Sequence, residues 1–384
     1  MKNNKLFLIG SFISWRFLIF LFVFIGVILL PLQSKYLGGG SEIYLTNPLV
    51  WSFLNFDGKR FLSIATIGYQ PLSYFFFPLY PILIRFFGNL FGGLQTDFAL
   101  SGLLISNVSF FVAILGLWKL INLDFKKNIA INTILLLLLF PTSFYFGSLY
   151  SESLFLALVV WSFYFARKGK WFLSSILAGL SSATRLIGIV MLPVILVEYY
   201  LKNKNKGKRK LISWNLVPIV LLSALGLIFY LFYLQKETGD FMVFVNTVSI
   251  FGDQRSSRIV SLPQVFYRYI FKILPNLSFS YLPGVYTAFL EFAVGVIFLF
   301  LSLYSLEKLP LSYFVYLLGT YLIPTLSGSF SSLPRYVLVS FPGFIILGKL
   351  MVKLPKVLRF VIYALLFILL TITTALFSRG YWVS

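Results

Sequence analysis

The sequence predicts an all-α protein, a polytopic transmembrane helical bundle of about eleven spans with interfacial amphipathic helices in its outer loops. Three observations lead there. Of 384 residues, 59% are hydrophobic and only 11% charged, with a mean hydropathy of +0.92, far outside the balance of a soluble globular domain. Apolar runs long enough to cross a hydrocarbon core roughly 30 Å thick recur along nearly the whole chain. The Lys and Arg residues collect in particular interruptions between those runs, which orients a multi-pass chain by the positive-inside rule. One membrane domain, residues 1–384, accounts for the sequence, and no short repeat is visible.

Taken in order, residues 6–30 are too long for a signal-peptide core and lack a small-residue cleavage pattern, so they are expected to stay as the first span. Residues 31–97 then form a long polar and aromatic outer loop. A second span runs to about residue 121, where Lys119, Lys126 and Lys127 mark the inner side. Residues 129–146 lead out and 151–166 lead back, ending on Arg167, Lys168 and Lys170. The stretch 171–200 reads either as one long tilted helix or as a hairpin broken near Arg185-Leu186-Ile187-Gly188. Positive charge at Lys202, Lys204, Lys206, Lys208, Arg209 and Lys210 belongs inside, which demands an even number of crossings and selects the hairpin. Its arms of about 14 residues reach only about 21 Å, short for lipid-facing spans but sufficient when packed within protein. Residues 211–234 exit, 235–283 form a second large outer loop, and 284–306 return to Lys308. Spans at 311–325, 335–350 and a last one ending near residue 377 complete the bundle.

Composition also removes whole classes of chemistry. With no Cys and no His, thiolate nucleophiles, Ser-His-Asp relays, haem ligation and ordinary zinc sites are excluded. Acid–base work falls to Asp, Glu, Tyr or Lys. The net charge of +21 reads, in so apolar a chain, as basic cytoplasmic loops facing anionic headgroups rather than as a nucleic-acid site. No cofactor is called for; a divalent ion is compatible with the chemistry below, but no residue pattern asks for one.

On this topology Asp57, Glu152, Arg185 and Arg335 all fall at outer span ends or in outer loops. Ionisable groups at membrane depth cost about 2.5–3.5 kcal/mol to insert and are usually paired, water-lined and functional. Each also has a plainer reading. Asp57 stands where a helix N-cap would, Arg185 pairs with Glu152 for structure, and Arg335 snorkels to headgroups. Arg255 and Arg258 approach an anionic ligand or are simply solvated. The segment Phe75-Phe76-Phe77-Pro78-Leu79-Tyr80-Pro81-Ile82-Leu83-Ile84-Arg85 suits an interfacial helix, as does Leu262 to Ile270. Glu291, inside a span, is placed to bond a neighbouring helix.

Several motifs then occur in a recognisable order: Phe56-Asp57-Gly58, Ile64-Ala65, Gly68-Tyr69 and Phe77-Pro78-Leu79-Tyr80-Pro81; Phe140-Pro141-Thr142 and Tyr150-Ser151-Glu152-Ser153-Leu154-Phe155; Thr184-Arg185 with Gly188; and Arg335-Tyr336 before Phe341-Pro342. Over roughly residues 51–342 the chain resembles the PIG-V type mannosyltransferases, relatives of the second GPI-anchor mannosyltransferase in the GT-C superfamily. It departs from them in having Phe56 before Asp57 where Trp is common, and Arg60 where Trp often stands. Asn246 or Gln254 takes the place of a Gln in the second large loop. The resemblance implies a membrane-embedded inverting glycosyltransferase of GT-C-like fold that moves a sugar, mannose by family habit, from a polyprenyl-phosphate donor. The acceptor is a lipid-linked or glycan molecule on the extracytoplasmic face of a prokaryotic plasma membrane. Asp57 matches the family's catalytic base, while Glu152, Arg185, Arg335, Tyr336, Tyr80 and Arg255 are expected to bind substrate; no metal ligand is implied. Against this stand a transporter or lipid or polysaccharide flippase, which calls for internal repeats and midplane polar groups, and a non-catalytic scaffold.

Overall fold

The computed structural model describes residues 2–205, 214, 216–247 and 255–383. Lys206, Lys208, Arg209, Lys210 and Gln254, which carried part of the sequence argument, lie outside the described residues. Backbone amides in hydrocarbon have only one another to bond with, and the regular structure of the described residues is accordingly helical throughout. In chain order the principal helices are α1 (Lys2–Leu29), α2 (Asp57–Ile67), α3 (Leu79–Phe91), α4 (Gln95–Asp124), α5 (Lys127–Leu139), α6 (Glu152–Lys168), α7 (Trp171–Ser182) and α8 (Met191–Asn205). They continue with α9 (Leu216–Thr238), α10 (Leu282–Lys308), α11 (Leu311–Thr325), α12 (Phe341–Lys353) and α13 (Lys356–Ser378).

Six helical segments are long and apolar enough to cross a membrane, and a seventh if Leu333–Val339 and Phe341–Lys353, bent by 82°, count as one. The expected eleven is not reached on that criterion, because α5, α6, α7 and α11 have 13, 17, 12 and 15 residues. The reasons are local. The span expected over 129–146 stops at Leu139: Phe140 precedes Pro141 and takes an extended ψ of 138°, as a pre-proline residue prefers, and a buried 3-10 turn, Ser143–Gly147, follows. The span expected over 335–350 is broken at Ser340, which leaves helical geometry at ψ 54°, and a new helix starts at Phe341 with Pro342 in its first turn.

The stretch from 171 to 200 is a hairpin. Its arms, α7 and the pair formed by Leu186–Val190 and α8, run antiparallel, for the Trp171 ring lies 5.2 Å from that of Tyr199. Lys202 turns back to the carbonyl of Arg167 at the same end. At the tip the absence of a side chain on Gly188 lets the backbone rest on Ser181 and Ser182. At its base, Arg167 joins Asp124 and, at 3.4 Å, Glu198, which also accepts a hydrogen bond from Ser312 at 2.5 Å. These groups stand at the far end of α6 from Glu152, about 25 Å away at 1.5 Å per residue.

The first long loop folds as short helical turns whose polar groups are satisfied by the end of α13. Tyr44 donates to the Ser378 carbonyl at 2.6 Å, Asn55 to the Phe377 carbonyl at 2.8 Å, and the Gln33 amide to the Arg379 carbonyl at 2.9 Å. The helix expected over Leu262 to Ile270 in the second large loop forms as Leu262–Arg268 and runs on through a π-helical turn to Ile273. Ahead of it residues 255–261 are pinned along the end of α11, with the Ser256 and Val260 amides bonding the Ser327 and Leu326 carbonyls at 2.7 and 2.9 Å.

Helices α7 and α9 meet through Gly179 and Gly226, and a Cβ on either would collide with the other helix's backbone. Small residues at such crossings permit the close packing that drives association in lipid. Gly226→Val is expected to lower stability by roughly 1–3 kcal/mol. A thermal unfolding temperature in detergent equal to that of the wild type would show that the helices do not pack this closely.

Candidate active site

Asp57 opens α2 but does not cap it. The residue before it, Phe56, occupies the N-cap position with φ +56°, and no side-chain cap bond is made. Positive φ is unusual for a bulky residue and persists only where the surroundings impose it. Here the Phe56 ring stacks on Tyr36 at 5.3 Å and meets Trp382 edge-on at 5.4 Å, while its amide bonds the Tyr36 carbonyl at 3.0 Å. Asn55, fully buried, holds the preceding turn: its Oδ1 accepts from Gly38, its Nδ2 donates to Phe377, and its carbonyl accepts from the Tyr150 hydroxyl at 2.8 Å. Burial keeps the Tyr150 phenol well above its ordinary pKa, so it stays a neutral donor. The Asp57 carboxylate is thereby aimed away from its own helix.

It points at Arg335, whose Nη1 lies 2.5 Å from Asp57 Oδ2. Arg335 is 6% exposed and sits in the short turn Leu333–Tyr336, launched from Ser332 at φ +63°. On its other side Arg335 Nε stands 3.5 Å from Glu152 Oε1, and that same oxygen pairs with Arg185 Nη1 at 2.5 Å. Glu152, only 1% exposed, is the first residue of α6, where the positive end of the helix favours a carboxylate. Arg185 stands at the hairpin tip, between α7 and Leu186–Val190. Residues far apart in sequence therefore form a continuous alternation, Asp57, Arg335, Glu152, Arg185. The ring of Tyr336 lies under both guanidiniums, 5.2 Å from Arg335 and 5.3 Å from Arg185, and Tyr145 and Tyr150 each approach Arg335 at 5.5 Å.

The array lines a cavity of about 350 Å³ walled by Phe76, Phe77 and Phe244 on one side and by residues 255–259 on another. Its lining brings four arginines, Arg185, Arg255, Arg258 and Arg335, against two carboxylates, so it carries net positive charge. Asp57 remains 28% exposed at its side chain, open to a ligand. Glu152 Oε2 is buried with no hydrogen-bond partner among the described residues.

Of the residues singled out from the sequence, Asp57, Glu152, Arg185, Arg255, Arg335 and Tyr336 meet in this cavity. Tyr80 does not. It is completely buried, with its hydroxyl engaged by Ser106 Oγ at 2.7 Å and the Gly102 carbonyl at 3.0 Å, and its ring packed edge-on to Phe61. It serves as a prop for α2, because Pro78 starts α3 so that Tyr80 faces α4 instead of the cavity. Asn246 bonds Asp240 at 2.8 Å and stands outside the lining. Arg255 binds the Ser331 carbonyl and Ser332 Oγ, both at 3.2 Å. Sequence reasoning missed Tyr145, Tyr150 and Phe77; Tyr150 and Phe77 lay inside recognised motifs, while a buried aromatic in so aromatic a chain gives no signal of its own.

Residues 16–318 match the family described as Mannosyltransferase (PIG-V). No curated protein matches the chain in sequence. Among solved structures it is similar to ArnT from Cupriavidus metallidurans bound to undecaprenyl phosphate, with a TM-score of 0.52 and 15% identity over 97% of this chain and 76% of that one. It also aligns with the apo oligosaccharyltransferase of Archaeoglobus fulgidus, with a TM-score of 0.47 and 12% identity over 100% of this chain and 57% of that one. At such identity the ArnT likeness is one of fold: the GT-C-like helical membrane bundle expected from the sequence.

A buried pair that loses one member leaves the other uncompensated, at about 3–5 kcal/mol, whereas replacing both by apolar groups is often nearly neutral. Arg185→Met is therefore expected to destabilise the protein strongly, and Arg185→Met with Glu152→Leu to recover much of the loss. Equal unfolding midpoints for the single and double variants would refute the coupling.

Proposed function

The chain belongs to the mannosyltransferase (PIG-V) family, and from that premise we propose that it transfers mannose, with inversion, from a polyprenyl-phosphate donor to a lipid-linked or glycan hydroxyl on the extracytoplasmic face. The observation that carries this reading is the convergence of Asp57 and Arg335 from opposite parts of the chain in one positively charged cavity. A phosphodiester donor is anionic, and guanidiniums stay protonated while offering paired N–H donors to phosphate. The undecaprenyl phosphate bound by ArnT is a ligand of the kind proposed here.

The chemistry divides among the residues as follows. Donor phosphate entering between Arg335 and Arg185 competes with Asp57 and Glu152 for their charge. Arg335, drawn toward the phosphate, relinquishes Asp57, which becomes a free carboxylate beside the acceptor. Asp57 then takes the hydroxyl proton as the acceptor oxygen attacks the anomeric carbon from the face opposite the phosphate. The carbon–oxygen bond to phosphate breaks with its electron pair, leaving polyprenyl phosphate. Phosphate is a good enough leaving group to need no general acid, and the two arginines hold the charge it carries away. The unpartnered Oε2 of Glu152 accepts a hydroxyl of the bound sugar and fixes its orientation. Tyr336 holds the planes of both guanidiniums.

Asp57→Asn keeps an oxygen to accept from Arg335 and is expected to fold and insert normally. A positioned base contributes roughly 10²–10⁴ in rate, so transfer from labelled polyprenyl-phosphate mannose in proteoliposomes should fall by about that factor. Turnover at the wild-type rate would remove Asp57 as the base. Sidedness is checked separately: reporters fused after Lys206 and after Gln254 are expected on opposite faces, the first inside, and a common side would overturn the extracytoplasmic placement.

A further inference from the structure

Glu291 is a carboxylate in the interior of α10, 6% exposed and nine residues beyond Leu282. Placing it at membrane depth is costly, yet among the described residues it neither lines the cavity nor pairs with an arginine at salt-bridge distance. Its two oxygens are spent on two loops. Oε2 accepts from the Tyr269 hydroxyl at 2.7 Å, in the π-helical turn of the second large loop. Oε1 accepts from the backbone amide of Ser332 at 3.2 Å.

Ser332 is the left-handed residue from which the Arg335 turn starts, at φ +63°. Its carbonyl accepts from the amides of Arg335 at 3.1 Å and Tyr336 at 3.0 Å, so the orientation of this one peptide sets the direction of both side chains. A non-glycine residue in that conformation is strained and persists only when its neighbours over-determine it. Glu291 supplies the bond on the amide side, and Arg255 supplies two more through the Ser331 carbonyl and Ser332 Oγ.

We propose that Glu291 is a positioning residue: bridging Tyr269 and the Ser332 amide, it holds the left-handed turn that aims Arg335 at Asp57 and at the phosphate of the substrate. The inference rests on the proposed transferase reading for the role of Arg335, and goes beyond it in naming what sets that arginine. Arg255 directly, and Tyr269 by way of Glu291, tie the second large loop to a single turn at the reacting centre. This is a reason for a carboxylate where a membrane helix would otherwise carry an apolar residue.

The experiment measures sugar transfer from polyprenyl-phosphate mannose by purified, full-length protein in proteoliposomes, with thermal unfolding recorded for each variant. Wild-type turnover tests the transferase reading by itself; once that is seen, the variants test Glu291 alone. Glu291→Ala is expected to reduce kcat/KM by 10-fold or more, with a raised KM for donor. Glu291→Gln, which keeps an oxygen for the Ser332 amide, should stay within about 3-fold of wild type, and its survival also covers the case in which Glu291→Ala fails to fold. Since glycine adopts the left-handed conformation freely, Ser332→Gly added to Glu291→Ala should recover at least 5-fold. In an Arg335→Lys background, Glu291→Ala should cost far less than in the wild type, because both act through one group. The proposal is overturned if Gln is as damaging as Ala, if Ser332→Gly recovers nothing, or if the Glu291→Ala loss is the same fold in both backgrounds.

Discussion

Everything at this site depends on keeping charges of both signs in a place with little water. A lone carboxylate or guanidinium at that depth costs several kcal/mol, and only mutual pairing makes the arrangement tolerable. Asp57, Arg335, Glu152 and Arg185 meet this requirement as an alternating row, each inner member touching an opposite charge on two sides. The row takes one member from the first loop, one from the start of α6, one from the hairpin tip and one from the turn before α12. Packing of helices and pairing of charges are therefore the same constraint seen at two scales. On the proposed reading the paired state is the resting one, since an incoming anion can replace either carboxylate without leaving an arginine uncompensated.

The backbone is correspondingly unusual on both sides of the central pair. Phe56, Leu72 and Ser332 are the non-glycine residues with positive φ among those described, and two of them launch Asp57 and Arg335. Local strain at these positions is held by distant partners: aromatic rings and the end of α13 around Phe56, and Glu291 with Arg255 around Ser332. A helix dipole or a cap would have drawn Asp57 onto its own amides; the strained Phe56 prevents it by occupying the cap position itself.

Much of this was legible from residue order. Hydropathy gave the helical membrane class, and the cations at Lys202 and Lys204 with their neighbours argued for the hairpin that Trp171 and Tyr199 close. Their place at the outer ends of spans or in outer loops made Asp57, Glu152, Arg185 and Arg335 stand out, and the motifs shared with the PIG-V type mannosyltransferases marked Asp57 as the base and the arginines as phosphate binders. Span lengths were less legible, because apolarity runs on through Phe140-Pro141, where the proline ends the helix, and across Ser340, where one helix stops and another starts, while the residues remain buried. Tyr80 was misplaced for a related reason: a conspicuous motif reveals that a residue matters, but the phase of α3 decides whether it faces ligand or neighbour. Glu291 was expected to bond a neighbouring helix, but its partners are a loop tyrosine and a backbone amide 22 and 41 residues away.

The seam between the first loop and the end of α13 has a consequence for biosynthesis. Tyr44, Asn55 and Gln33 find their acceptors on Ser378, Phe377 and Arg379, more than 300 residues downstream. During translation these groups emerge early and lack these acceptors until α13 and the turn after it have been made. Asp57 can take its final bearing only then, so a chain made as far as Arg335 already carries the whole charged row but not yet the seam that aims its first carboxylate.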